Sequence, residues 1–258
     1  MIMLNFFKSF PLVQYQFNED SEEKNIIIDI NRNVRAYISE MDNANAYLYY
    51  EVNDGSRPDQ VSMELYGTPA YYWTFFVVND NLTNGLHEWP KSSYELNNFV
   101  DETYPRTTIS LESKAGVSTT SHHLYKYPLV IGETIRGITS GATGTLAEVN
   151  YTTNSFVLDD VVGTFVNENI TTSQSFLAFA VGTSFKHIVA KEKDSPHHYV
   201  DSQGRVVDRL NFNASDSMLP VTNFEHEVNV NDAKTYIRVI NPSAIDSFAT
   251  RYRKLINS

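Results

Sequence analysis

Two pairs of neighbouring histidines, His122-His123 and His197-His198, are the side chains in this sequence best suited to bind a metal ion. Imidazole nitrogens are common ligands of Zn²⁺ and other transition metals. Neighbouring side chains on a strand or a helix point apart, so neither pair alone builds a metal site. We therefore expect the chain to have no metal site and to use no cofactor.

Catalytic patterns are equally weak in this sequence. Serine, histidine and aspartate are present, but no Gly-x-Ser-x-Gly nucleophile elbow occurs. The adjacent carboxylates Glu22-Glu23 and Asp159-Asp160 would form an acid and base pair only if one carboxyl were desolvated across a cleft from its partner. Exposed turns are the simpler interpretation of both pairs. We expect a protein without enzymatic activity.

The overall composition also restricts the partners. A formal net charge of −11 disfavours nucleic acid, because proteins bind phosphates by displacing counterions with lysine and arginine. The absence of cysteine excludes disulfide bonds and thiolate metal sites. Aromatic residues make up 13% of the chain, which indicates large buried contacts within the fold or between subunits.

The first 13 residues contain three phenylalanines, Phe6, Phe7 and Phe10, but Lys8 interrupts this apolar patch. We expect neither a signal peptide nor a membrane partner, since no uncharged apolar run approaches the roughly 20 residues that span a bilayer. We expect synthesis in a cell's cytoplasm. Residues 1–45 are interpreted as an extended N-terminal arm that lies on another surface, or as an N-terminal strand of the main domain.

The pattern becomes clearer after residue 45. Residues 47–52 (YLYYEV) are a strand candidate, and residues 53–56 (NDGS) are typical of a turn. Ser56 then begins a short helix, which Gly67 ends. Thr68-Pro69 starts a second helix, which is so apolar that we expect it to be buried on several sides.

Residues 129–182 have a different composition, rich in glycine, threonine and valine. Residues 133–138 and 155–159 alternate with period two, and turn residues separate them. We predict a small antiparallel β module, inserted between residues 46–128 and 183–258 and separable from them. The C-terminal part contains a predicted hairpin at 198–207, a strand at 234–240 and an amphipathic helix from Ser243 to Asn257.

Three segments resemble the baseplate wedge protein of contractile-tailed bacteriophages: residues 50–58 (YEVNDGSRP), 65–69 (LYGTP) and 72–80 (YWTFFVVND). The resemblance continues through Trp89-Pro90 and returns at residues 198–204 and 237–242, with Ile245 and Phe248. In that family the first three segments form a LysM-like strand-helix-helix unit. The resemblance therefore implies an α+β fold with this unit as its core, joined to the arm, the β module and the C-terminal helix.

The resemblance also implies a function. It implies a structural subunit of the virion, a late protein of the tail baseplate wedge, which contacts other wedge proteins and the lysozyme-like wedge protein at the base of sheath and tube. The expected LysM-like core residues are Tyr50, Leu65, Tyr66, Gly67, Pro69, Tyr72, Trp73, Phe76 and Trp89. The residues expected to contact partners are Phe6, Phe7, Phe10, Ile245, Phe248 and Tyr252.

A LysM module that binds peptidoglycan is the alternative interpretation. In that case the loops at residues 53–57 and 79–86 would flank a shallow glycan groove. Against it, Arg57-Pro58 replaces the usual Thr-Leu opening of LysM modules, and the sequence contains no tandem copy of the unit.

Overall fold

The computed structural model describes residues 10–17, 24–29, 46–113, 124, 129–172, 185–208 and 218–257. The chain divides into two compact units. Unit 1 comprises residues 1–93 and 230–258, and unit 2 comprises residues 94–229. The fold is mixed α+β with several small antiparallel sheets, as the sequence predicts at this level of detail.

The described elements alternate along the chain. The helices are α1 (Pro58–Tyr66), α2 (Trp73–Val78), α3 (Ser93–Thr103), α4 (Asn223–Asp232) and α5 (Ile245–Asn257). Short 3₁₀ helices lie at Pro69–Tyr71, Asp80–Leu82, Gly85–Glu88 and Glu192–Asp194. The strands are β1 (Leu12–Tyr15), β2 (Asn25–Ile28), β3 (Tyr47–Glu51), β4 (Thr107–Ser113), β5 (Thr134–Gly137), β6 (Thr143–Asn150), β7 (Ser155–Val162), β8 (Ile170–Thr172), β9 (Phe185–Lys191), β10 (Pro196–Val200), β11 (Val206–Val207), β12 (Leu219–Thr222) and β13 (Tyr236–Ile240).

Helix α1 begins and ends where local sequence signals favour it. Its N-cap is Arg57, one residue after the predicted Ser56, and the Gln60 side chain accepts a hydrogen bond from the Arg57 amide at 2.9 Å. This contact satisfies an amide that the helix leaves unpaired. Gly67 ends the helix with a φ of 70°, a left-handed conformation that a side chain would strain.

The second predicted helix is divided in two. Thr68 accepts a hydrogen bond from the Ala70 amide through its hydroxyl, and Pro69 begins a 3₁₀ turn before α2 starts at Trp73. In α2, Trp73, Phe75 and Val78 are buried. Phe76 is partly buried against the core, in agreement with the expectation of a helix covered on several sides.

The sheet of unit 1 pairs β3 with β13, which lies far along the chain. Tyr236 opposes Glu51, and Ile240 opposes Tyr47, in antiparallel register. The Asn79 side chain attaches the end of α2 to β13: its amide nitrogen donates to the Arg238 carbonyl, and its oxygen accepts from the Arg238 amide, both at 2.8 Å. Strand, helix and closing strand therefore share one hydrogen-bonded framework.

Two buried clusters stabilise this framework. One surrounds Phe75 and Trp89, and the other surrounds Trp73 and the inner side of α5. Trp89 donates its indole N–H to the Ser56 carbonyl at 2.8 Å, so its one polar group is satisfied although its ring is buried.

Unit 2 contains a six-stranded antiparallel sheet in the order β8-β5-β6-β7-β4-β9. Strands β5 to β8 fall within the predicted β module, but β4 and β9 lie outside it and continue the same sheet. Ile109 and Leu111 of β4 also share one buried cluster with Ile135, Leu146 and Phe156. The sheet is therefore larger than the segment 129–182 identified by composition, because strand pairing joins residues on both sides of that segment.

The turn between β5 and β6 is organised around one buried carboxylate. Glu168 is 3% exposed and accepts hydrogen bonds from the backbone amides of Thr139 at 2.6 Å and Ser140 at 2.7 Å, and from the Ser140 hydroxyl. Burial by itself would raise the pKa of Glu168, but the hydrogen bonds outweigh burial and lower it. A side chain at Gly137 would collide with this carboxylate.

We predict that Trp73→Ala lowers the free energy of unfolding of unit 1 by about 3 to 5 kcal/mol, as large-to-small aromatic deletions do in cores. Trp73 is 4% exposed, and its ring centroid lies 5.0 Å from that of Tyr252. Denaturant titration followed by the fluorescence of Trp89 would measure the loss in the full chain. The control Tyr94→Ala, at a side chain 76% exposed, should change stability by less than about 0.5 kcal/mol. A loss below about 1 kcal/mol for Trp73→Ala would contradict the predicted core role.

We predict that Glu168→Gln destabilises unit 2 by about 1 to 3 kcal/mol at pH 7, because an amide accepts these hydrogen bonds less strongly than a carboxylate. The folded-state pKa is lowered, so the carboxylate stabilises the fold above its unfolded pKa. This contribution is lost as the pH falls through the folded-state pKa. Melting curves of both proteins from pH 7 to below about pH 4 should therefore converge in acid. A difference that does not depend on pH would argue against the ionised carboxylate.

Candidate functional site

The predicted partner residues of the C-terminal helix lie inside unit 1. Ile245, Phe248 and Tyr252 are 5%, 3% and 6% exposed. They pack with Trp73 and Ile240 in one cluster. The expectation that this stripe faces another protein is therefore corrected: the apolar face of α5 covers this chain's own core. The periodicity identified the buried face correctly but not what covers it.

The aromatic patch of the arm is divided in a similar way. Phe10 is 9% exposed and belongs to the same cluster as α5. Phe6 and Phe7 lie outside the described residues. Phe10 thus joins the arm to the core of unit 1 and is not a free docking residue.

The exposed apolar surface of the arm lies on β1 and β2, which we call the arm sheet. Leu12 opposes Ile28, and Gln14 opposes Ile26, so these residues share one face of an antiparallel pair. Leu12 and Ile26 are each 68% exposed. Tyr15 and Phe17 are also exposed. This segment is interpreted from its sequence as an arm. The β-branched run at residues 26–28 is the local signal for a strand here, but it does not show which face stays exposed.

A second exposed patch lies on the outer face of the β3–β13 sheet. Tyr49 and Tyr236 stack in parallel with their ring centroids 5.2 Å apart, and each is 62% exposed. Beside them, the Arg238 guanidinium lies over the Tyr47 ring at 5.4 Å. Tyrosines with exposed rings are frequent in protein interfaces.

The predicted LysM-like core residues come together in unit 1. Trp73 and Trp89 are buried, Gly67 ends α1, and Pro69 begins the 3₁₀ turn. The partly buried members pack against the same two clusters: Tyr50, Leu65, Tyr66, Tyr72 and Phe76.

Tyr66 also makes a long-range polar contact. Its hydroxyl donates to the Ile240 carbonyl at 2.9 Å, and burial raises its pKa to about 12. The hydroxyl therefore remains a neutral donor at physiological pH. It connects α1 to β13, a contact that no local pattern in the sequence indicated.

Three histidines in unit 2 form a cluster of nitrogen ligands. His197 and His198 on β10 lie with their Nδ1 atoms 2.9 Å apart, and the His197 ring stacks on His226 of α4 at 3.8 Å. The expectation that His197 and His198 point apart is incorrect, because a register irregularity between Pro196 and His198 interrupts the regular pairing of β10 with β12. The other pair, His122-His123, lies outside the described residues.

Residues 2–104 match the sequence model of a family described as "Base plate wedge protein 53". The resemblance to phage baseplate wedge proteins is confirmed. The match supports a structural role in the tail baseplate of a virion, in association with other baseplate proteins. No curated protein matches the chain.

The match has a definite extent within the structure. It covers the arm sheet, β3 and helices α1 to α3, and it ends at residue 104. The similar segments at 198–204 and 237–242, with Ile245 and Phe248, lie outside it. Among the described residues, none of the helices combines the length and apolarity needed to cross a bilayer.

We predict that Phe248→Ala destabilises unit 1 by about 3 to 5 kcal/mol, because the ring is buried between Trp73 and Tyr252. Leu255→Ala, on the same helix at 47% exposure, is the matched control and should cost much less. Denaturant titration of the full chain measures both values. If the two losses were equal and small, the inner face of α5 would not be part of the core.

Proposed function

We propose that this chain is a non-catalytic subunit of the baseplate wedge of a contractile phage tail. In this proposal it joins the wedge core proteins to the lysozyme-like wedge protein from which the sheath starts. The proposal rests on the family match over residues 2–104. The packing of unit 1 supports a rigid scaffold rather than a catalytic cleft, because the strongest sequence motifs supply buried rings and backbone contacts.

We further propose that the core of unit 1 is LysM-like. The order β3, α1, α2 supports the strand-helix-helix unit, with Asn79 and Tyr66 joining both helices to β13. Three residues of the matched motifs are used here for packing and hydrogen bonding: Trp73 and Trp89 are buried, and the Tyr66 hydroxyl donates to the Ile240 carbonyl. They are therefore not available as a stacking platform for a glycan, which favours the scaffold role over peptidoglycan binding.

The arm sheet is the surface that we assign to a neighbouring wedge protein. An antiparallel pair of strands is only marginally stable by itself in water. Its Leu12 and Ile26 side chains are largely exposed, and covering a large apolar side chain contributes roughly 1.5 to 3 kcal/mol. The arm sheet also lies within the matched residues. An apolar surface on a second baseplate protein would therefore stabilise both the sheet and the assembly.

We predict that the double variant Leu12→Asp, Ile26→Asp is folded but fails to enter baseplates. Both changes place a charge on the same exposed face of the arm sheet, where desolvation by a partner would be costly. The variant would be supplied in trans to a phage that lacks the chain, and its amount in purified tails would be measured by quantitative mass spectrometry. Circular dichroism and the fluorescence of Trp73 and Trp89 would verify the fold.

The matched control is Ile131→Asp with Val206→Asp in unit 2. These side chains are 60% and 69% exposed and lie outside the matched residues, so this variant should assemble normally. Normal incorporation of the arm variant would reject the docking surface. Absence of the unmodified chain from purified tails would reject the baseplate function itself.

A further inference from the structure

The three histidines of unit 2 are positioned by elements that are hydrogen-bonded to each other. Asn223, the first residue of α4, donates its backbone N–H to the Ser195 carbonyl at 3.0 Å, and its side chain donates to the Glu192 carbonyl at 2.6 Å. Residues 192–195 lead directly into β10, which carries His197 and His198. The first turn of α4, which carries His226, is therefore attached to the segment that precedes the other two histidines.

The segment at residues 192–195 is also held by hydrogen bonds to Arg106. Glu192 is buried and accepts hydrogen bonds from both the Nε and Nη2 groups of Arg106, at 3.0 and 2.7 Å. Paired arginine and carboxylate contacts of this kind restrict orientation as well as position. Strand β10 is paired on both sides, with β11 and β12. The imidazoles are thus presented by two ordered elements rather than by a loose loop.

The arrangement brings together three nitrogen ligands in a small volume. One ring nitrogen from each of His197, His198 and His226 lies within 4.8 Å of the others. In a tetrahedral zinc site, nitrogens about 2.0 to 2.1 Å from the ion are roughly 3.4 Å apart. The Nδ1 atoms of His197 and His198, 2.9 Å apart, are already closer than this spacing. The His197 and His226 rings are stacked with an interplanar angle of 6°, so one of them would have to turn out of the stack for its nitrogen lone pair to face a shared ion.

The surroundings of His197 and His198 disfavour a positive charge on either ring. Burial lowers the pKa of His197 and His198, and the neighbouring imidazoles lower it further, while Glu227 acts in the opposite direction on His197. A neutral imidazole is the form that binds metal. A divalent ion would bind all three rings in their neutral form, in competition with protons.

We propose that His197, His198 and His226 form a binding site for a divalent transition metal of the Zn²⁺ type. Imidazole suits zinc, nickel and copper, whereas calcium and magnesium prefer oxygen ligands. Three imidazoles leave one tetrahedral position for water. The site lies in unit 2, outside the residues that match the wedge family, and the proposal does not depend on the baseplate function.

The test uses the full chain without an affinity tag, treated with a chelator and then titrated with ZnCl₂ in a calorimeter at pH 7.5. We expect one zinc ion per chain and a rise in melting temperature that the chelator reverses, because an ion that binds only the folded state stabilises it. His226→Gln and His198→Gln should each weaken binding by at least about tenfold. Lowering the pH to about 5 should also weaken it, since protons compete for the imidazoles.

Two control variants locate the binding. His87→Gln removes an exposed histidine of unit 1, and the double variant His122→Gln, His123→Gln removes the other histidine pair; both should bind zinc as the unmodified chain does. If the unmodified chain shows no binding at about 100 μM zinc, the dissociation constant is larger than that and the binding free energy is about −5.5 kcal/mol or weaker. That result would overturn the proposal. Unchanged binding by folded His226→Gln and His198→Gln, or loss of binding on removal of His122 and His123, would also overturn it.

Discussion

The pairing of β3 with β13 is the constraint on which unit 1 depends. Residues 47–51 and 236–240 are joined across most of the length of the chain, and closing such a loop costs conformational entropy. Burial of Val239 and Ile237 at 1% and 0% exposure, and the bonds from Asn79 and Tyr66 to β13, offset that cost. Without β13, the acceptor of the Tyr66 hydroxyl and both backbone partners of Asn79 on that strand would be missing.

Because of this pairing, the residues that match the family and the residues that form unit 1 are not the same. The match ends at residue 104, but the core around Trp73 is completed by Phe248 and Tyr252 of α5. The wedge sequence therefore depends on C-terminal residues for its packing, and unit 2 is formed by the chain that lies between. A segment can thus match a family by its sequence although part of the core in which it packs lies elsewhere in the chain.

An apolar face in the sequence can be buried within the chain or can remain exposed for a partner protein. Helix α5 is strongly amphipathic, yet its apolar face is buried in the core of unit 1. The arm sheet has weaker patterning, but it leaves Leu12 and Ile26 exposed. A periodic sequence reports that one face avoids water. Only the positions of the other elements reveal whether that face is covered within the chain.

The sequence by itself determined the features that arise from neighbouring residues. These include strand β3, the Gly67 stop of α1, the alternating strands β5 and β7, the amphipathic α5 and the wedge resemblance. Turn chemistry, capping and side-chain periodicity act over a few residues, so they can be identified directly. Tertiary structure alone decided that β13 pairs with β3, and that β4 and β9 extend the sheet of the central module. It also decided that the irregular strand β10 brings His197 and His198 together beside His226. Strand pairing and side-chain convergence depend on contacts between distant residues, and local sequence patterns do not specify those partners.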